Sequence, residues 1–330
     1  MERVIILDSK YYKSSNKFSA LGLLMVILAT AVVGSALSVP YLFLIRVCPS
    51  AKLCVFITIF YGLGLGYISA WLCKMFKIRN VALTILGICI GVFIYTYFKW
   101  AFFVSYTYTN WFPDDFGPTS YFSLVPYIMK YPQDFWASIK DINSYGTWSM
   151  SSSHSSAETT SNTTGVMLWI VWISEILILT VSTILVTLTR LSHPFIEAEN
   201  EWAAEYKDRA FVFESFNIQA NRAAIEENPA FILNARPFYG DVSKSDYVKL
   251  ALYHSSDFME NYISLSQVIC ATKKKKANTT TPIMYLRVNN DFFNSLCNLF
   301  NNTNSGSNYS QPIPQADENK YMSTINDIEK

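Results

Sequence analysis

GVMLWIVWISEILILTVSTILVTLTR, from Gly165 to Arg190, is the stretch whose reading decides the fold. It carries no lysine or arginine before its last residue, and at about 1.5 Å per residue it is long enough to cross a hydrocarbon core of roughly 30 Å. It reads as a membrane span. One ionisable residue, Glu175, sits inside it, and a carboxylate at that depth is costly unless a partner or a function holds it there.

Working outward, the same signal recurs three times upstream. Only 15% of the 330 residues are charged, against roughly 25% in an average soluble domain. Between Phe18 and Ser105 the charges are Arg46, Lys52, Lys74, Lys77, Arg79 and Lys99, with no acid among them. Basic residues ahead of Phe18 and the small run Gly34-Ser35-Ala36 imitate a cleaved leader, but an apolar run continuing to Ile45 is far longer than a leader core. It reads as a retained first span, with Pro40 kinking it or marking its outer end. Spans two and three follow from about Leu53 to Cys73 and from about Val81 to Ser105.

Lysine and arginine crowd the N-terminus and the Lys74–Arg79 loop, whereas the long segment from Tyr106 onward holds only Lys130 and Lys140. By the positive-inside rule both termini are cytoplasmic and that segment is outside. Its aromatic first part reads as short surface helices over Tyr121–Lys130 and Pro132–Ile142, and the Ser/Thr tract behind it as a flexible connector. Trp169, Trp172, Phe195 and Trp202 are placed at the bilayer interfaces.

Beyond Arg190 the acids gather. Glu197 to Arg209, acids first and bases last, reads as a helix with Glu197, Glu199, Glu201 and Glu205 on a solvated face. Ser243–Ser255 reads as a second helix, Tyr262–Thr272 and Pro282–Val288 as a long-looped hairpin, and Asn289–Phe300 as a last helix. The expected architecture is an all-α membrane bundle of four transmembrane helices with a small cytoplasmic α+β domain. Its parts are an N-terminal tail with spans one to three (1–105), an extracytoplasmic aromatic segment and linker (106–165), span four (166–190), the α+β domain (191–300) and a disordered tail (301–330).

Counting depth from the outer ends places Glu175, Lys99 and Tyr61 within about 5 Å of one height. The expectation is a Lys99–Glu175 ion pair with Tyr61, or a first-span serine such as Ser35, beside it. Gly62 and Gly66 in span two, and Gly87 and Gly91 in span three, have the G-x-x-x-G spacing that lets backbones approach, here between spans two and three or in a homodimer. Lys273, Lys274, Lys275 and Lys276 are either an anionic-lipid contact or a solvated hairpin tip, and they lack the aromatic platform of a nucleic-acid site.

The three histidines are scattered, the cysteines form no C-x-x-C, and no nucleotide or hydrolase motif occurs, so neither a metal nor a cofactor is expected. The sequence favours a non-enzymatic protein of a cell membrane, read as a bacterial inner membrane, that anchors or couples its cytoplasmic domain. Its expected partners are the lipid bilayer and an unknown protein or a second copy. The alternative is a transporter or channel subunit built around Glu175 and Lys99.

Overall fold

The computed structural model describes residues 10–48, 50–111, 120–150, 161–207, 211–242, 245–270 and 278–303 of the chain. Most of the Ser/Thr tract, Lys273 to Lys276 and the tail beyond residue 303 lie outside the described residues. The chain divides into two compact units: one runs from Lys13 to Ala203, and the other combines residues up to Tyr12 with those from Ala204 onward.

The first unit is helical. Among the described residues, four helices are long and apolar enough to cross a membrane: α1 (Ala20–Val47), α2 (Ala51–Met75), α3 (Val81–Trp111) and α6 (Gly165–Arg190). Between α3 and α6 lie α4 (Ser120–Lys130), α5 (Pro132–Tyr145) and a small hairpin of β1 (Trp148–Met150) and β2 (Ser161–Thr163). Ser19 caps α1 by accepting from the Gly22 amide at 3.1 Å, and Ser50 caps α2 through the Leu53 amide at 3.3 Å, satisfying first-turn N–H groups. Pro40 does not end α1, which continues two turns past it. At the end of the bundle where α3 stops, Trp100 and Trp172 meet edge to face at 4.6 Å, and α4 is held by Tyr97 donating to the Met129 carbonyl at 3.0 Å.

The glycine motifs work, but on other partners than the sequence suggested. Instead of packing spans two and three together, Gly62 and Gly66 place α2 against α6, while Gly87 and Gly91 place α3 against α1. A Cβ on Gly66 would lie 2.7 Å from the Thr183 carbonyl, and one on Gly91 2.7 Å from Thr30 Cβ. The reason is the hydroxyl ridge of α6. Thr183 shares its hydroxyl proton between the Leu179 carbonyl of its own helix at 2.9 Å and the Gly62 carbonyl at 3.2 Å, and Thr187 between the Thr183 carbonyl at 2.8 Å and the Gly66 carbonyl at 3.1 Å, contacts across to α2 that need carbonyls no side chain covers. Both pairs have the same sequence separation, so α2 and α6 run parallel. Both glycine pairs thus join helices that are not successive in the chain.

Residues 191–203, grouped with the α+β domain in the sequence reading, belong to the helical unit. The helix expected over Glu197–Arg209 is replaced by short strands, β3 (Phe195–Ile196), β4 (Glu201–Trp202) and β5 (Ala204–Glu205). Phe195 is buried rather than interfacial, as is Trp172.

The second unit is α+β. Its antiparallel sheet joins β5 and β6 (Phe211–Glu214) to one edge of β7 (Tyr247–His254), followed by β8 (Asn261–Ile269) and β9 (Asn278–Val288). The helix expected over Ser243–Ser255 is thus strand β7, whose Val248, Leu250 and Leu252 alternate into the core. Helices α7 (Ile218–Glu227) and α8 (Asn290–Thr303), with a 3-10 turn at Pro229–Asn234, supply Ile218, Ile225, Ile232, Leu296 and Phe300 to the same core.

The free edge of β9 is taken by the chain's own beginning. The Arg287 amide donates to the Lys10 carbonyl and the Tyr12 amide to the Tyr285 carbonyl, each at 2.9 Å, and the Tyr11 hydroxyl reaches Glu226 on α7 at 2.5 Å. At this edge Tyr285 sits in the left-handed region at φ 57°, part of a bulge whose amide bonds Ser264 Oγ at 3.1 Å.

Candidate functional site

Glu175 finds its partners in the bundle interior. Lys99 Nζ lies 2.7 Å from Glu175 Oε1, and the Tyr41 hydroxyl donates to the same oxygen at 2.6 Å. Tyr41 has one proton, which the carboxylate takes. Its 2.9 Å contact with Thr58 Oγ1 therefore uses the threonine as donor, in competition with the Cys54 carbonyl at 2.9 Å. Thr58 on α2, Tyr41 on α1, Glu175 on α6 and Lys99 on α3 form one chain of polar contacts through all four long helices.

The Lys99 side chain is 4% exposed and that of Glu175 22% exposed, so the ammonium is the more deeply desolvated partner. Two rings compensate it: Lys99 Nζ lies 5.6 Å from the Tyr41 centroid and 5.7 Å from that of Trp100. A buried pair satisfied in this way fixes helix positions, because moving any one helix leaves a charge unpaired.

Tyr61 does not join the pair. Its hydroxyl donates to the Gly34 carbonyl at 2.6 Å, and its ring stacks on Tyr41 at 4.9 Å, so it holds the tyrosine rather than the carboxylate. Ser35 contributes its carbonyl to Ser38 at 2.7 Å. The residues that sequence reasoning missed are Tyr41 and Thr58. Tyr41 lies inside the span that the sequence reading ran to Ile45, but the depth count considered only Tyr61 and serines as neighbours of the pair; the continuous α1 brings Tyr41 within reach of Glu175.

A second polar cluster closes the other end of the helical unit. Glu197, expected on a solvated helix face, pairs instead with Lys17 at 3.2 Å and with Arg79. The Arg79 guanidinium also bonds Ser15 at 3.2 Å and lies 4.0 Å over the Phe195 ring. Its backbone N–H donates to the Lys17 carbonyl at 2.9 Å, while Trp202 Nε1 donates to the Lys74 carbonyl at 3.1 Å. Burial would raise the Glu197 pKa, but hydrogen bonds from Arg79, Ser15 and Lys17 and the Arg79 charge outweigh it, and the carboxyl is lowered to about 2.

This cluster ties three pieces of chain together: the segment entering α1, the α2–α3 loop, and the β3–β4 hairpin after α6. Beside it lies an open groove of about 480 Å³ lined by Lys17, Phe18, Phe76, Lys77 and Arg79 among others.

Among the described residues, no group of three or more His, Cys, Asp or Glu side chains is gathered to hold a metal ion. Comparison with protein-family models, with curated proteins and with solved structures returns no match.

Proposed function

We propose that the four long helices span a membrane and that the protein is a non-enzymatic component coupling the state of this bundle to its α+β unit. The carrying observation is how the chain passes between the units. It does so twice, at Tyr12–Lys13 and at Ala203–Ala204, and the segments leading to both crossings are pinned by Glu197 through Lys17 and Arg79. A shift of α1, of α6 or of the α2–α3 loop pulls on this cluster. The α+β unit, joined on both sides, receives that pull at Lys10–Tyr12 on the β9 edge and at β5.

The lysines and arginines at this end support a cytoplasmic placement, where they face an anionic leaflet worth about 1 kcal/mol per cation. On this reading the α4–α5 end is extracytoplasmic, and the partners are the bilayer and a cytoplasmic protein that recognises the α+β unit.

The test is hydrogen exchange of the full chain in lipid nanodiscs, comparing wild type with an Arg79→Met, Glu197→Gln variant. Coupling requires faster exchange at the Tyr12 and Arg287 amides, with the core amides of β7 and β8 unchanged. Identical exchange at the edge strand would reduce the role to plain anchoring.

The chain of polar contacts through all four long helices supports a second reading, a transport subunit in which the Lys99–Glu175 pair opens to a proton or cation. Ion flux through proteoliposomes that is lost on Glu175→Gln would favour it over coupling.

A further inference from the structure

The groove beside the Glu197 cluster is built from two stretches of chain. Residues 15 to 19, leading into α1, line one side, and Phe76, Lys77 and Arg79, between α2 and α3, line the other. Hydrogen bonds hold the sides together: the Arg79 amide donates to the Lys17 carbonyl at 2.9 Å, Asn80 Nδ2 to the Asn16 carbonyl at 3.3 Å, and Arg79 Nε to the Lys77 carbonyl at 3.3 Å. At about 480 Å³ its volume falls among ligand clefts, which run from roughly 300 to 1,000 Å³.

Three cations line the groove and no acid does. Arg79 is spent on Glu197 and Ser15, with its side chain only 10% exposed. Lys17 touches Glu197 but is 67% exposed, and Lys77 has no carboxylate partner among the described residues. Lys77 also occupies the turn that ends α2, at φ 54°, where its amide bonds the Lys74 carbonyl at 3.2 Å and the Ile78 amide bonds the Cys73 carbonyl at 2.9 Å. Glycine or asparagine takes that left-handed position at lower cost, so a lysine there keeps a cation at the groove against the local preference.

The surroundings are those of a headgroup layer. The groove lies where α1 and α3 begin and α2 ends, and the start of α1 adds the positive end of its peptide dipoles. Phe18, 50% exposed, and Leu21 carry an apolar surface from the groove onto the flank of α1. Unpaired positive charge with an apolar flank complements a molecule that has a phosphate at one end and hydrocarbon at the other.

We propose that this groove binds one anionic phospholipid, its phosphate held by Lys17 and Lys77 and its acyl chains lying beside Phe18 and Leu21. The inference rests on the reading of the four long helices as membrane spans. Lys17 is shared between the phosphate and Glu197, which ties lipid occupancy to the cluster that pins both crossings.

The experiment is native mass spectrometry of the full chain in detergent holding equal amounts of phosphatidylglycerol and phosphatidylcholine. Wild type should retain one phosphatidylglycerol in preference. Lys17→Gln with Lys77→Asn should lose that preference, while Lys130→Gln with Lys140→Gln should keep it. Because asparagine suits the backbone at position 77, Lys77→Asn alone should match the Tm of wild type in phosphatidylcholine nanodiscs, yet lose the rise that phosphatidylglycerol gives wild type.

Equal retention of the two lipids by wild type, or a preference that survives in the paired variant, overturns the proposal. Displacement of the bound lipid by soluble glycerol phosphate overturns it in favour of a soluble phosphate ligand. Alkaline carbonate extraction of native membranes separates the site from the reading beneath it. Protein that stays with the membrane but shows no lipid preference leaves the spans standing and the site wrong; protein that is extracted refutes both.

Discussion

Replacing Lys99 by methionine keeps the length of the side chain and removes its charge. Glu175 is then left in the bundle interior with Tyr41 as its remaining donor. Breaking a buried pair from one side costs about 3 to 5 kcal/mol, and because Tyr41 still donates to the carboxylate the loss should be near the lower figure. Glu175→Gln strands the more deeply buried ammonium, offset in part by the Tyr41 and Trp100 rings, and should cost about 3 to 4 kcal/mol. Replacing both, as Lys99→Met with Glu175→Leu, removes both desolvation penalties and should fall within about 1 kcal/mol of wild type.

The assay is thermal unfolding in nanodiscs followed by tryptophan fluorescence, since Trp100 and Trp172 pack beside the pair. At about 2 to 4 °C per kcal/mol for a unit of this size, each single variant should lose roughly 6 to 16 °C and the double variant less than about 4 °C. Singles that shift Tm by under about 2 °C, or a double variant as unstable as the singles combined, would refute the reasoning, because the two charges would then be independent.

Three other outcomes follow from the same geometry. Gly66→Ala should cost about 1 to 3 kcal/mol in the same unfolding assay, because its Cβ meets the Thr183 backbone, whereas Gly64→Ala, with nothing within 4 Å, should be neutral or stabilising. The Glu197 pKa is depressed from 4.5 to about 2, so its contribution is present above pH 4.5 and is lost as pH falls toward 2. With its side chain 45% exposed, screening limits this to about 1 kcal/mol, and protection of the Arg79 amide should drop about fivefold across that window in wild type but not in Glu197→Gln. Tyr11→Phe removes the bond to Glu226 and should cost about 1 kcal/mol, read as faster exchange at the Arg287 amide.

The apolar helices were legible because little besides a membrane span calls for hydropathy sustained over some twenty residues, and α4 and α5 because aromatic residues punctuated by proline bound them. The pairing of those helices was not legible, since it depends on Thr183 and Thr187 finding bare carbonyls on another helix, and nothing local marks such a match.

Two misread elements have different causes. In β7 the alternation of Val248, Leu250 and Leu252 was present in the sequence, and helix signals drawn from the flanking residues obscured it. In EAENEWAAEYKDR the helical tendency is real, but Arg79 and Lys17 grip Glu197, and Lys74 accepts from Trp202, so tertiary contacts override it. The candidate site was half legible. Depth counting brings Lys99 to Glu175, but with Pro40 left as either a kink or an end, the first span offered no fixed height at which to place Tyr41.

The pairing of Lys10 and Tyr12 with the edge of β9 sets an order of events in biosynthesis. Their partners Tyr285 and Arg287 are synthesised roughly 270 residues after them. At about 5 to 20 residues per second that is a delay of some 15 to 55 seconds, during which all four apolar helices are made. Residues 10–12 therefore wait unpaired until β9 follows, and the sheet of the α+β unit closes on them only after the four apolar helices have been made.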